Sequence, residues 1–324
     1  MKKSLKKLSL IACAVLLFGG LLFVFGFGLT GFNVQALGNV QIEKKYFTEN
    51  AENQLHSITL DFDVADFNVV FDETVTGVEI EYPQRQNKKG KNLNRIAVTE
   101  TQNAIEIKEG KREFSLTIFD FTSPVVTLRL PSSRTYDLKI VTDTGDISLK
   151  NNGNFYAFAL ETDTGDVDFS GSEIFCQGKG SIETDTGDVT LCSLQAGELE
   201  IEIDTGKLRM ENVTVADKLL AETDTGDISV SQTVKANFLS LQTDTGDIKA
   251  KNAVLDGTQV VLSTSTGDIS ATLTGVKKDY AVTVHTRTGD ANITSNLEDI
   301  TNATRVLKAQ ASTGDINIYF TQNP

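Results

Sequence analysis

The chain has 324 residues, 40% of them hydrophobic, and carries 44 acidic against 30 basic side chains for a formal net charge of −14. That length can bury a sizeable core as one large domain or two ordinary ones. Only four Pro beside 18 Phe exclude a mainly disordered polymer. The charge is uneven: residues 1–36 hold four Lys and no acid, residues 37–135 hold 12 basic and 15 acidic side chains, and residues 136–324 hold 14 and 29. Nucleic-acid backbones are bound by Lys and Arg that displace counterions, so the acidic C-terminal half excludes DNA and RNA as partners.

The N-terminus reads as a membrane signal. Lys2, Lys3, Lys6 and Lys7 precede Leu8–Leu29, a run of 22 residues without charge, and the next ionisable side chain is Glu43. As a helix that run is roughly 33 Å long, enough to cross a bilayer core. The flanking Lys place residues 1–7 in the cytoplasm and everything after about residue 40 outside. Three readings are open: a retained single-pass anchor, cleavage after Ala36 in Val34-Gln35-Ala36, or lipidation at Cys13 in Leu10-Ile11-Ala12-Cys13. All three export the body of the protein. Residues 30–42 then serve as a linker.

From residue 136 the sequence repeats. Gly145, Gly165, Gly187, Gly206, Gly226, Gly246, Gly267, Gly289 and Gly314 recur every 19–25 residues, each preceded by Thr. Asp follows eight of them, Lys207 being the exception. Apolar residues stand at +2 and, with small ones, at +4, and again at −5 and −7, where only Gly180 departs. Period-2 spacing on both sides of a Gly turn means strand, turn, strand. One such unit cannot bury its apolar row by itself, whereas stacked units form a continuous core. The expected fold is therefore all-β: a single-chain β-solenoid (β-helix) of ~21-residue rungs spanning 136–324, with like residue above like at about 4.8 Å.

Residues 43–135 read as an N-terminal cap and opening rungs. Ile58-Thr59-Leu60-Asp61-Phe62 and Ala65-Asp66-Phe67-Asn68-Val69 imitate strand, turn and strand, and a basic loop at 85–95 suits contact with an anionic surface.

The repeated Thr-Asp-Thr-Gly-Asp-Ile/Val, the Leu-Arg-Leu-Pro at 128–131 and the N-terminal apolar segment resemble the bacterial "putative adhesin" family of β-strand-repeat domains of unknown function, which includes LiaG-like envelope-stress proteins. The resemblance covers about residues 55–324. It implies a cell-surface solenoid with an adhesive or envelope-stress role and carries over no catalytic residue.

The residues themselves offer little chemistry. His56 and His285 share no motif with a Ser, Cys or carboxylate, and no Cys pair has zinc-ligand spacing. Cys176 and Cys192 fall at different phases of the repeat, so two free thiols are expected. Asp-Thr-Gly is also an aspartic-protease signature, but it occurs six times in a row, from Asp143 to Asp244, rather than as two facing copies. Asx turns for that column and a hydrogen-bonded ladder for the Thr beside each Gly explain the pattern.

The Asp after each Gly forms a second column. Its repulsion calls for solvation, turn amides or shared divalent cations; calcium is the sharper alternative, against which the Gly-Gly-x-Gly-x-Asp nonapeptide is missing. No catalytic, cofactor or metal residue is assigned. The function expected is a non-enzymatic, membrane-anchored surface scaffold. Its partner is an envelope protein, a wall polymer or another copy of itself. The alternative is a β-helix polysaccharide lyase or hydrolase, for which the rung of Lys207 and Arg209, the one that breaks the pattern, is the place to look.

Overall fold

The computed structural model describes residues 40–47, 56–85, 95–110, 124–293 and 303–322. The basic tail, the apolar run 8–29, Cys13 and most of the basic loop lie outside them. Among the described residues no helix is long and apolar enough to cross a membrane, and the helical element there is a single 3-10 turn, Lys277–Asp279.

The body is an all-β solenoid. Thr135–Thr144, Gly153–Thr164, Ile174–Thr186 and Leu194–Thr205 lie side by side, parallel. The short strands beyond each turn, Ile147–Lys150, Val167–Asp168 and Val189–Cys192, pair the same way. Further along, Leu208–Thr225, Ile228–Thr245 and Ile248–Thr266 run unbroken from one Gly turn to the next.

Register puts like over like: Ile140, Leu160, Ile182, Ile201, Ala221, Leu241 and Leu262 form one column, buried throughout. Each buried Leu or Ile contributes about 1.5–3 kcal/mol, and the columns merge into one core. The exception at −7 has a steric cause. A Cβ on Gly180 would sit 2.4 Å from the Phe158 ring, which fills that place from the rung below. Phe158 in turn packs on Phe155 and Phe169 at 5.7 Å between ring centroids.

The turn glycine is required by contact. A Cβ on Gly226 would lie 1.7 Å from the carbonyl oxygen of Gly206, and its φ is 155°. Gly226 N–H donates to Thr245 O and Gly206 N–H to Thr225 O, both at 2.9 Å, so the corner is tied rung to rung. In the opening rung Ala65 takes the glycine's place: its oxygen is what a Cβ on Gly145 would strike, at 1.8 Å.

At both ends the stacking order departs from chain order. Ser57–Val64 lies between Ala104–Glu109 and Thr135–Thr144, so Ile58 faces both Ile105 and Leu138. Likewise Arg305–Thr313, the last rung in sequence, lies between Ile248–Thr266 and Tyr280–Thr288, with Ala309 facing Leu262 and Val284. Thr274–Asp279 carries the chain past an open slot, and the final rung comes back to fill it. Thr321 N–H on Leu273 O and Gln322 N–H on Gly275 O fasten it there.

Antiparallel strands cover the N-terminal end. Val78–Arg85 pairs with Val125–Pro131 and is itself covered by Val40–Phe47, while Ile96–Glu100 covers Ala104–Glu109. Cys176 is buried, Cys192 is half-buried, and both are free.

Candidate binding faces

At the Gly corner two hydrogen-bonded ladders run along the stack. In the first, the Asp after each Gly uses Oδ1 to accept the backbone N–H of the equivalent residue in the next rung. Asp66, Asp146, Asp166 and Asp188 accept from Asp146, Asp166, Asp188 and Lys207 at 2.7–3.1 Å. Asp227, Asp247, Asp268 and Asp315 accept from Asp247, Asp268, Asp315 and Asp290 at 2.7–2.9 Å. A hydrogen bond to a charged acceptor contributes about 1.5–3 kcal/mol, more than the roughly 0.9 kcal/mol by which unit charges 4.8 Å apart repel in water. The column is thus held by turn amides. Among the described residues no three His, Cys, Asp or Glu side chains come together as a metal-ligand set.

The second ladder is not made by the Thr beside Gly, whose column is exposed. It is made three positions before Gly, where Thr162, Thr184, Thr223, Thr243 and Thr264 are buried and donate Oγ1–H to the carbonyls of Gly145, Gly165, Gly206, Gly226 and Gly246 at 2.9–3.4 Å. The Thr beside Gly contributes its carbonyl instead, as acceptor for the turn N–H.

One rung interrupts both ladders. Ile203 replaces the buried Thr, and Lys207 offers no carboxylate to Asp227. The neighbouring charges are compensated: Arg209 binds Asp188 at 2.8 Å, and Lys249 bridges Asp227 and Asp247 at 2.6 and 3.1 Å. Burial works against ionisation of Asp188, but Arg209, the Lys207 N–H and both cations outweigh it and hold its carboxyl below the ordinary value. The Lys249 hydrogen bond does the same for Asp227, against burial.

Beside the ladders lies an acidic grid. Glu161, Glu183, Glu202 and Glu222 are in register on successive rungs, and two residues on, Asp163, Asp185, Asp204 and Asp224 form a parallel exposed column. No Lys or Arg stands within either column. Burial, then Glu161, Glu202, Asp185 and Asp204, push the Glu183 carboxyl above its ordinary value. Asp163 is raised by burial, then by Asp185 and Asp143. The Asx turns expected at this column are not what organises it; the carboxylates face water.

The opposite corner of the same rungs turns on uncharged side chains. There the chain turns through left-handed Asn151, Ser193, Asn212 and Gln232, φ 52–66°. A groove of about 620 Å³ runs along it, bordered by Glu73, Asn154, Glu173, Phe175, Gln195 and Thr214 among others. Asn154, Phe175, Gln195 and Thr214 lie in one in-register row. Phe175 is 45% exposed, and Tyr156, exposed to 42%, is the other large aromatic at the surface among the described residues.

The columns that the sequence placed together do stand together, from Asp146 to Asp315. The groove has no repeated motif: Asn154 and Phe175 stand nine and ten places after their glycines, Gln195 and Thr214 eight, and the residue type changes at each rung. A basic loop contact lies outside the described residues except at its ends.

Residues 57–319 match the Toastrack DUF4097 family model, and the chain belongs to that family. Solved structures similar to it include a "putative adhesin" from Bacteroides fragilis, at 16% identity over 86% of this chain and 97% of the other, TM-score 0.42. Another is a "putative adhesin" from Parabacteroides merdae at 15% identity, covering 88% and 98%, TM-score 0.36. A "putative lipid binding protein" from Parabacteroides distasonis is similar at 12% identity, covering 88% and 98%, TM-score 0.37. No curated protein matches the chain.

Proposed function

We propose that the protein is a non-enzymatic binding scaffold of the cell surface. In this reading residues 8–29 anchor it in the cell membrane, residues 1–7 stay cytoplasmic, and the solenoid stands outside, where it engages an envelope component and serves envelope-stress signalling as an accessory. The observation that carries the binding role is the grid of eight carboxylates from Glu161 to Asp224, unbroken by any cation. A field of one sign on a rigid, evenly spaced lattice attracts an extended cationic partner.

The lyase or hydrolase alternative gains no support from the Lys207 rung, whose Arg209 is held on Asp188 in the ladder rather than free beside a cleft.

A photo-crosslinking side chain at position 183, compared in intact cells with one at the exposed Asp217, tests the reading. A discrete envelope adduct from position 183 alone supports it; identical adducts, or none, from both positions overturn it.

A further inference from the structure

We infer that the corner opposite the Gly turns is a binding groove for an uncharged, β-linked glycan chain, lying along the row Asn154, Phe175, Gln195 and Thr214. The inference rests on the reading of the molecule as a surface-facing scaffold but concerns a different face, on the other end of the strands that carry the acidic grid.

Four properties of the groove define its ligand. First, its backbone is already paired: Gly153 N–H bonds Glu173 O, Ile174 N–H bonds Ser193 O and Ser193 N–H bonds Glu211 O, at 2.9–3.1 Å. A peptide adding itself as a strand would find no free ladder, so recognition falls to side chains.

Second, those side chains are neutral hydrogen-bonding groups. Gln195, Asn212 and Thr214 are exposed and make no hydrogen bond with other described residues. An amide presents an acceptor and two donors, and a hydroxyl one donor and two acceptors, which is the complement of sugar hydroxyl and acetamido groups.

Third, the groove is set against a polyanion. It contains no Lys or Arg to hold one. Of the two carboxylates that line it, Glu73 and Glu173, Glu173 is committed to Asn152, which bonds it through Nδ2 at 3.4 Å and accepts the Glu173 N–H at 3.0 Å.

Fourth, Phe175 presents an exposed ring in the middle of the row, in register between Asn154 and Gln195. An apolar aromatic face ringed by amides is unexplained by packing and matches the C–H face of a pyranose. The groove steps by one rung, about 4.8 Å, close to the advance per sugar of an extended β-1,4 chain, so successive sugars meet successive rungs.

Titration of the full-length chain in mild detergent with chitohexaose, by isothermal calorimetry, tests the inference, with cellohexaose as the probe lacking acetamido groups. The expected result is saturable binding of at least one hexamer, weakened about tenfold or more by Phe175→Ala and by Gln195→Ala. It should be retained in Phe175→Tyr and unchanged in Glu183→Gln. No saturable binding of either hexamer, or binding that survives both alanine variants, overturns it. If the hexamers fail while the position-183 adduct forms, the glycan groove falls and the acidic-face scaffold stands. If they bind and that adduct is absent, the groove stands and the acidic-face reading falls.

Discussion

The Oδ1 of Asp166 accepts the backbone N–H of Asp188 at 2.7 Å, one rung up and 22 residues on. A column of like charges is thereby converted from a liability into the tie between turns. Asp166→Asn keeps an acceptor at the same place and removes one charge, so it is expected to leave stability unchanged or slightly raised. Asp166→Ala removes the acceptor and is expected to cost about 1.5–3 kcal/mol. Denaturant unfolding of the two variants side by side decides it.

Gly226→Ala drives a Cβ to within 1.7 Å of the Gly206 carbonyl, between two hydrogen-bonded turns that cannot part. A loss above about 4 kcal/mol is expected. Gly171 is the contrast: its φ is 78° but nothing lies within 4 Å of an added Cβ. Gly171→Ala should carry only the left-handed strain, about 1–2 kcal/mol. Equal melting temperatures for the two variants would contradict the close-contact argument.

Lys207→Asp supplies Asp227 N–H with the missing acceptor but inserts a charge between Asp188 and Asp227. The new repulsion is about 0.9 kcal/mol per neighbour in water and is screened by salt, whereas the hydrogen bond is not. Relative to the parent, the variant should gain about 1 kcal/mol or more on going from low salt to 1 M. Thermal melts at the two ionic strengths provide the check.

Glu183 and Asp163 have raised folded pKa values, so the folded state holds their protons more tightly than the unfolded chain does. Their ionisation opposes folding at neutral pH, and acidification through the carboxylate range relieves it. Asp188, Asp227 and Glu200, the last held by a hydrogen bond from Lys179, are lowered and act in reverse, losing their contribution as pH falls through their folded values. Glu183→Gln should therefore raise the melting temperature at pH 7 and confer no gain below the ordinary carboxylate range. A gain that persists at low pH would show that the grid's repulsion is not its source.

The intercalated last rung predicts an inversion in hydrogen exchange. Amides of Arg305–Thr313, near the C-terminus but paired on both sides, should be protected like those of central strands. Those of Tyr280–Thr288, paired only with Arg305–Thr313 among the described strands, should exchange faster. Equal protection of the two strands would contradict the stacking order.

The body of this fold was readable because the glycine cannot move: aligning on Gly145 through Gly314 places the −5, +1 and +2 columns without knowledge of the corners. The stacking order at the ends was hidden by the same regularity. Rungs with interchangeable edges, such as those of Leu262, Ala309 and Val284, carry nothing in their sequence that names a neighbour. The repeat points equally to Thr164 and to Thr162 for the hydroxyl ladder that Thr162 makes, because both positions recur and only the pleat says which one points inward. The groove was missed for a third reason: Asn154, Phe175, Gln195 and Thr214 share a row but no residue type, and period-finding sees only likeness.

Because residues 305–322 fill a slot between strands made earlier, the stack cannot be completed progressively as the chain is synthesised. Tyr280–Thr288 emerges before Arg305–Thr313 and fits the same edge of Ile248–Thr266 by its own repeat register. It must wait, or be displaced, until Arg305–Thr313 has been made. Truncation before residue 303 would leave Tyr280–Thr288 to close the stack in the wrong place.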